Sequence, residues 1–281
     1  MNIIRRQAGF LHLPNDNIVK TVGVAVLLCL ICSVVVSAAA TLLKPQQIAN
    51  KLLDKKANIL TVSGVDLAGR SIEEAFAQVE TRVIDLQTGD YNDELDAQSY
   101  DQRKASKDPA MTLPLSSAEN TAKIAGLPKY ANVYLVKENN QLSKIILPIE
   151  GYGLWGTLYG FIALESDATT VSSITFYEHK ETPGLGGEVE NKKWQASWSG
   201  KQLINESGNT VLSLIKGSVG KETAGAQYKV DGLAGATLTS NGVSNMVKFW
   251  MGDKAFGTYL KRIRNTNEQS QRTSVNLKER A

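Results

Sequence analysis

From Thr21 to Leu43 the chain reads TVGVAVLLCLICSVVVSAAATLL, with no charge between Lys20 and Lys44. At about 1.5 Å rise per residue, this run just crosses a hydrocarbon core of about 30 Å as a helix. The apolar stretch of a secretory signal peptide is only about 7–15 residues long. The run is longer, although VSAAA near its end resembles a cleavage site. A buried soluble helix would keep a polar face. The stretch is therefore expected to be an uncleaved single-span anchor over 21–43, behind a short leader over 1–20. Arg5, Arg6 and Lys20 flank one end and Lys44, Lys51, Lys55 and Lys56 the other, so positive charge does not decide the orientation.

The remaining residues suffice for one large domain or two small ones. With a net charge of +3 and no basic arm or patch, nucleic acid is not an expected partner. Cys29 and Cys32, the only cysteines, both lie in the apolar run. One C-x-x-C pair supplies half of a four-thiolate site, so they are read as apolar filler. The soluble part can then hold no disulfide and needs an ordinary core.

Beyond the anchor, Ile48, Leu52, Leu53 and Leu60 form a loose helical stripe. In SIEEAFAQVETRVIDL, Ser71 and Glu74 form a capping box, and Ile72, Ala75, Phe76, Val79 and Val83 follow at helical spacing. An amphipathic helix is expected there, then an exposed polar loop over 87–108. From about Tyr130 the pattern turns to strands: ANVYLV and LSKIILPIEG joined through ENNQ, then LYGFIALE and VSSITFYEH joined through SDATT. Trp194 and Trp198 suggest one face of a short helix, and QYKVDG ends a further strand. SNGVSNMVKFWMG and AFGTYLKRIR read as helices, and the chain after Asn265 as a polar tail. Adjacent strands mixed with helices favour an α+β sheet domain over a regular βαβ array. The expected organisation is a helical and polar membrane-proximal region over 44–129, a mixed domain over 130–262 and a tail over 263–281.

Three segments can carry chemistry. GYGLWGTLYG places Gly151, Gly153, Gly156 and Gly160 around Leu154 and Trp155. A strand rather than a helix follows, which excludes a Rossmann loop and leaves a bend between strands. A tryptophan exposed on such a bend suits stacking on a flat aromatic ligand. In EHKETPGLGGEVE, Pro183 and Gly184 enforce a turn, and Gly186 and Gly187 free the backbone so that amides can point at a ligand. His179, Glu178, Glu181 and Glu188 match no common zinc spacing and are read as a solvated acidic loop. With only His12 and His179 in the chain, a multi-histidine metal site is excluded. The third segment is DGLAGATLTSNG, Asp231 to Gly242. Its Gly235-Ala236 allows close backbone approach, and Thr237, Thr239 and Ser240 precede or begin a helix. A helix N-terminus seats a phosphate, and by spacing alone Thr239 or Ser240 equally serves as an ordinary cap.

In this order, a single anchor, GYGLWGTLYGFIAL, HKETPGLGG and DGLAGATLTSNGV resemble the NqrC family, the C subunits of the sodium-translocating NADH:quinone oxidoreductases, from the anchor to about residue 262. The last two motifs are shared with a wider group of FMN-binding domains. The resemblance implies a transmembrane helix followed by a mixed α/β FMN-binding domain in the periplasm of a bacterial inner-membrane complex. It implies FMN held covalently by a phosphoester to Thr237, within Gly235-Ala236-Thr237. Thr239 is the fallback acceptor, and Asp231-Gly232 belong to the signal read by a flavin transferase. Ala234 stands where the family has Ser or Thr, and modification is expected to survive this. Trp155, Leu154, Thr182, Gly184, Leu185, Gly186, Gly235, Ala236 and Asp231 are the expected cofactor-binding neighbours. No metal and no catalytic residue is expected. The implied activity is electron relay from NADH toward ubiquinone coupled to sodium export, with subunits A, B, D, E and F as partners. Two competing readings are the equivalent component of a ferredoxin:NAD (Rnf-type) complex and a membrane-anchored module without redox role.

Overall fold

A computed structural model describes Pro14 and residues 16–278. The leader expected over 1–20 lies largely outside the described residues. The chain divides into two compact units at Asp54/Lys55. Helix α1 runs from Ile18 to Ser63, with Pro45 inside it. It is the one helix among the described residues long and apolar enough to cross a membrane. Apolar side chains along it, such as Leu28, Ile31 and Val35, are exposed, which suits a lipid environment.

From Lys55 onward the second unit is built on a five-stranded antiparallel sheet in the order β1 (Val79–Asp85), β4 (Tyr130–Glu138), β5 (Gln141–Tyr152), β6 (Thr157–Glu165) and β7 (Val171–Glu178). Ser71 closes its capping box with Glu74 as expected, but helix α2 is only Ile72–Phe76, and strand β1 follows at Val79–Asp85. The longer helix is overridden because VETRVID pairs along its length with the edge of the sheet, where the β-branched Val79, Thr81, Val83 and Ile84 fit a pleated surface. The polar stretch that follows contains helix α3 (Gln102–Ala105), then strands β2 (Thr112–Leu113) and β3 (Leu127–Pro128) as a separate pair. Gln102 and Ala105 are buried, and Gln102 Oε1 accepts from Asn132 N, so this stretch packs on the sheet instead of standing off it. A boundary at 129/130 would cut the pairing of β1 with β4.

Strands β4 (Tyr130–Glu138) and β5 (Gln141–Tyr152) form a hairpin whose turn places Asn139 and Asn140 at φ 51° and 62°. Asparagine tolerates this left-handed geometry. Strands β6 (Thr157–Glu165) and β7 (Val171–Glu178) extend the meander. The near-continuous apolar runs of these strands mean that both sheet faces are covered. On one face Tyr134, Ile146, Phe161 and Ala163 pack on α2 and on Ile59, Leu60 and Val62. On the other, Val133, Leu135, Ile145, Leu147, Ile162 and Leu164 meet the main core.

The C-terminal elements complete that core. Helix α4 (Lys192–Ala196) sets Trp194 against Trp198 at 5.6 Å, edge to face. Strands β8 (Ser213–Leu214) and β9 (Lys229–Val230) form a short parallel pair. Helix α5 (Thr237–Met251) lays Val243, Met246, Val247 and Trp250 on the sheet at helical spacing, and Trp250 Nε1 donates to the Glu150 carbonyl at 2.7 Å. Helix α6 runs from Gly257 to Lys278, so the polar tail expected after Asn265 continues a helix.

Candidate functional site

The glycine-rich bend is the β5–β6 hairpin. Tyr152 pairs with Thr157, and Gly153 N donates to the Gly156 carbonyl at 2.8 Å, which leaves Leu154 and Trp155 at the tip. Trp155 is 62% exposed. The tip is held by its own backbone: the amides of Leu154 and Trp155 donate to Glu181 Oε1 at 3.0 and 2.9 Å. Position 153 has no room for a side chain, because a Cβ there would lie 2.6 Å from the same oxygen.

Glu181 corrects the reading of its loop as a solvated acidic segment. It is 5% exposed, and its Oε2 accepts from Thr239 Oγ1 at 2.5 Å. A buried carboxyl group needs hydrogen-bond partners, and here two amides and a hydroxyl supply three bonds. Beside it, His179 Nδ1 accepts from Glu181 N at 3.2 Å, leaving Nε2 as the protonated nitrogen. That nitrogen lies 3.0 Å from Glu190 Oε1 but out of line for a hydrogen bond. Among the described residues no cluster of three or more histidine, cysteine or carboxylate side chains could hold a metal. The Thr182 carbonyl accepts from the amides of Leu185 and Gly187 at 3.1 and 2.9 Å, with Gly184 at φ +74°. The turn thus closes two amides on itself instead of offering them to a ligand. Leu185 is left partly exposed at its edge.

Helix α5 begins at Thr237, earlier than the capping pattern suggested. Its N-cap is Ala236, without a side-chain cap bond. Thr239 is fully buried on Glu181, and Ser240 Oγ accepts from Leu233 N at 3.0 Å, so neither hydroxyl caps the helix. The first turn therefore keeps amides and a partial positive charge available, with Thr237 exposed as its first residue. Leu238, not singled out from the sequence, is 60% exposed beside it. Gly235 sits at φ +69°, where a Cβ would meet Leu185 Cδ2 at 2.9 Å. Ala234 is exposed. Asp231 turns out to be a brace: its carbonyl accepts from Trp194 Nε1 at 2.8 Å and its Oδ1 from Val219 N at 2.7 Å.

The three segments thus meet. Glu181 links the tip to α5, a Cβ on Gly186 would touch Thr239 Oγ1 at 2.6 Å, and one on Gly242 would touch the Tyr152 carbonyl at 2.4 Å. The result is an exposed hydroxyl on a helix start without a side-chain cap, with Leu185 close to Gly235 and exposed apolar side chains at Leu154, Trp155 and Leu238 on the segments that meet there. That donor set fits a phosphorylated ligand with a flat apolar ring. Further along β5, Glu150 is buried, and burial pushes its carboxyl up to about 7 against the opposing charges of Arg103 and Lys107. Arg103 lies 3.5 Å over the Tyr159 ring and grips Glu178 through two bonds at 2.7 and 3.1 Å.

Residues 153–252 match the family model described as an FMN-binding domain, a segment that contains all three motifs except Gly151 and Tyr152. Fold and site therefore define an FMN-binding domain. The chain is 49% identical over 251 residues to the C subunit of the Na(+)-translocating NADH-quinone reductase of Vibrio vulnificus, spanning 89% of this chain and 97% of that one. It is 46% identical over 253 residues to the protein of the same name from Pseudomonas aeruginosa, again covering 89% and 97%. The crystal structure of Shewanella oneidensis NqrC superposes with a TM-score of 0.71 at 31% identity, covering 77% of this chain and 99% of that one. The crystal structure of the corresponding protein from Parabacteroides distasonis gives 0.60 at 28% identity, covering 78% and 96%. The chain belongs to the NqrC family, the C subunits of the Na(+)-translocating NADH-quinone reductases.

Proposed function

We propose that this chain is the FMN-carrying electron-transfer subunit of a sodium-translocating NADH:quinone reductase, with FMN joined through its phosphate to Thr237 Oγ1. The observation that carries the attachment site is the uncapped start of α5, where Thr237 is exposed and Thr239 is buried on Glu181. The first-turn amides and the helix dipole hold the phosphate. Leu154, Trp155, Leu185 and Leu238 would shield the ring, and the Thr182–Gly186 turn and Gly235-Ala236 would line its site. When bound, FMN supplies the one-electron redox chemistry, and the protein binds and orients it. Attachment through the phosphate leaves the ring free of any bond to the chain and prevents the cofactor from dissociating. Helix α1 is read as the single inner-membrane span, with the flavin domain on the periplasmic side. The partners are subunits A, B, D, E and F, with electrons passing toward B, and a flavin transferase that reads the segment beginning at Asp231-Gly232. Residues 130–262 remain the proposed flavin-carrying region. Membership of the NqrC family supports this reading over a ferredoxin:NAD complex or a module without redox role.

Intact mass of the chain co-expressed with a flavin transferase tests it. An FMN-sized adduct is expected in the wild type and in Thr239→Ala, and none in Thr237→Ala. An adduct that survives Thr237→Ala places the ester elsewhere.

A further inference from the structure

Glu181 is buried deeply while its neighbours Glu178 and Glu190 are exposed. Among the described residues it forms no salt bridge, and its two oxygens are held by the amides of Leu154 and Trp155 and by the Thr239 hydroxyl. Two glycines make way for this carboxylate, since a Cβ at Gly153 or Gly186 would approach it to 2.6 or 2.5 Å. The bonds join segments far apart in the chain, 26–27 residues on one side and 58 on the other. The Thr239 hydroxyl donates to Glu181 Oε2. Successive residues turn by about 100° around a helix, which sets Thr237 and Thr239 on nearly opposite sides of α5. One hydroxyl is committed inward and the other left in solvent.

We propose that Glu181 is the positioning residue of the flavin site: by clamping the Leu154–Trp155 tip to the first turn of α5, it fixes the apolar platform relative to the attachment hydroxyl of Thr237. The inference rests on the functional reading above. Without the clamp, FMN is still attached, but its ring has no fixed platform. Burial and the bond to Glu181 also withdraw the Thr239 hydroxyl as a rival acceptor, so that a single ester forms. A site needs this kind of support from residues that do not touch the ligand, because a loosely held contact loses its orientation.

The test uses the full-length chain, co-expressed with a flavin transferase, as wild type, Glu181→Ala, Glu181→Gln and Thr239→Val. Hydrogen exchange in the unflavinylated protein reads the clamp directly at the amides of Leu154 and Trp155. These amides are expected to be protected in the wild type and in Glu181→Gln, whose remaining carbonyl oxygen still accepts both. They are expected to be unprotected in Glu181→Ala. In the flavinylated protein, a tryptophan against the ring quenches flavin emission. Glu181→Ala is expected to keep the mass adduct yet lose most of that quenching and of the visible circular dichroism, with Glu181→Gln restoring both. Should Glu181→Ala fail to fold, Thr239→Val cuts only the link to α5, and partial loss of quenching is expected. Unchanged quenching and dichroism in Glu181→Ala and Thr239→Val would overturn the proposal, as would Glu181→Gln behaving like Glu181→Ala. A wild type without any adduct would sink the functional reading instead, while the exchange measurement would still decide whether the clamp exists.

Discussion

Glu150 sits on β5 opposite Tyr159, close to the hairpin tip, and only 8% of it reaches solvent. Burial lifts its carboxyl from 4.5 to about 7, with Arg103 and Lys107 pulling the other way. The consequence for stability has a definite sign. Between those two values the native state holds a proton that the unfolded chain releases, so stability falls as pH rises through that window. At about 1.36 kcal/mol per pH unit, the full transition costs about 3 kcal/mol above pH 7. Substituting Glu150→Gln keeps the shape and removes the titration. Urea denaturation of both proteins at pH 5, 6, 7 and 8 gives the difference in unfolding free energy at each pH. Any constant offset reflects the packing of the amide. The expected signal is the slope: the variant gains on the wild type by about 2–3 kcal/mol between pH 5 and pH 8. Parallel stability curves over that range would refute the reasoning, because they would mean that Glu150 ionises in the native state as readily as in the unfolded chain.

Gly186→Ala places a Cβ within 2.5 Å of Glu181 Oε2, where both hydrogen-bond partners are buried; thermal unfolding is expected to show a loss of about 1–3 kcal/mol. Arg103→Ala removes the grip on Glu178 and the cover over Tyr159, partly exposed contacts worth about 1–2 kcal/mol together. Because the Arg103 charge holds the Glu150 carboxyl down, the same variant is expected to move the Glu150 transition to higher pH, measurable in the same urea series. Protease added to intact spheroplasts is expected to digest residues beyond α1; protection there, with digestion only after lysis, would reverse the proposed orientation.

The motifs that make up the candidate site are legible in the sequence because they are local. The Leu154–Trp155 bend, the Pro183-Gly184 turn and the Gly235-Ala236-Thr237 stretch each show in a few consecutive residues, as does the Ser71–Glu74 box. Local pattern and structure part where a distant partner decides the outcome. Val79–Asp85 carries both a helical stripe and a β-branched run, and pairing with β4 selected the strand. Thr239 and Ser240 have the chemistry of caps, yet Glu181 and Leu233 N claim their hydroxyls. Glu181 itself stands in a loop of charges, where nothing local separates a buried carboxylate from a solvated one.

Local sequence alone dictates the apolar span, the meander of strands with both faces apolar, and the small and hydroxyl residues at the start of α5. These follow from side-chain size, polarity and backbone freedom at neighbouring positions. Tertiary packing settles which hydroxyl stays in solvent, which carboxylate is buried and how the tip is held. Those outcomes depend on the sheet bringing residues 154, 181 and 239 together, since a charge can be buried only where distant donors converge to replace its water.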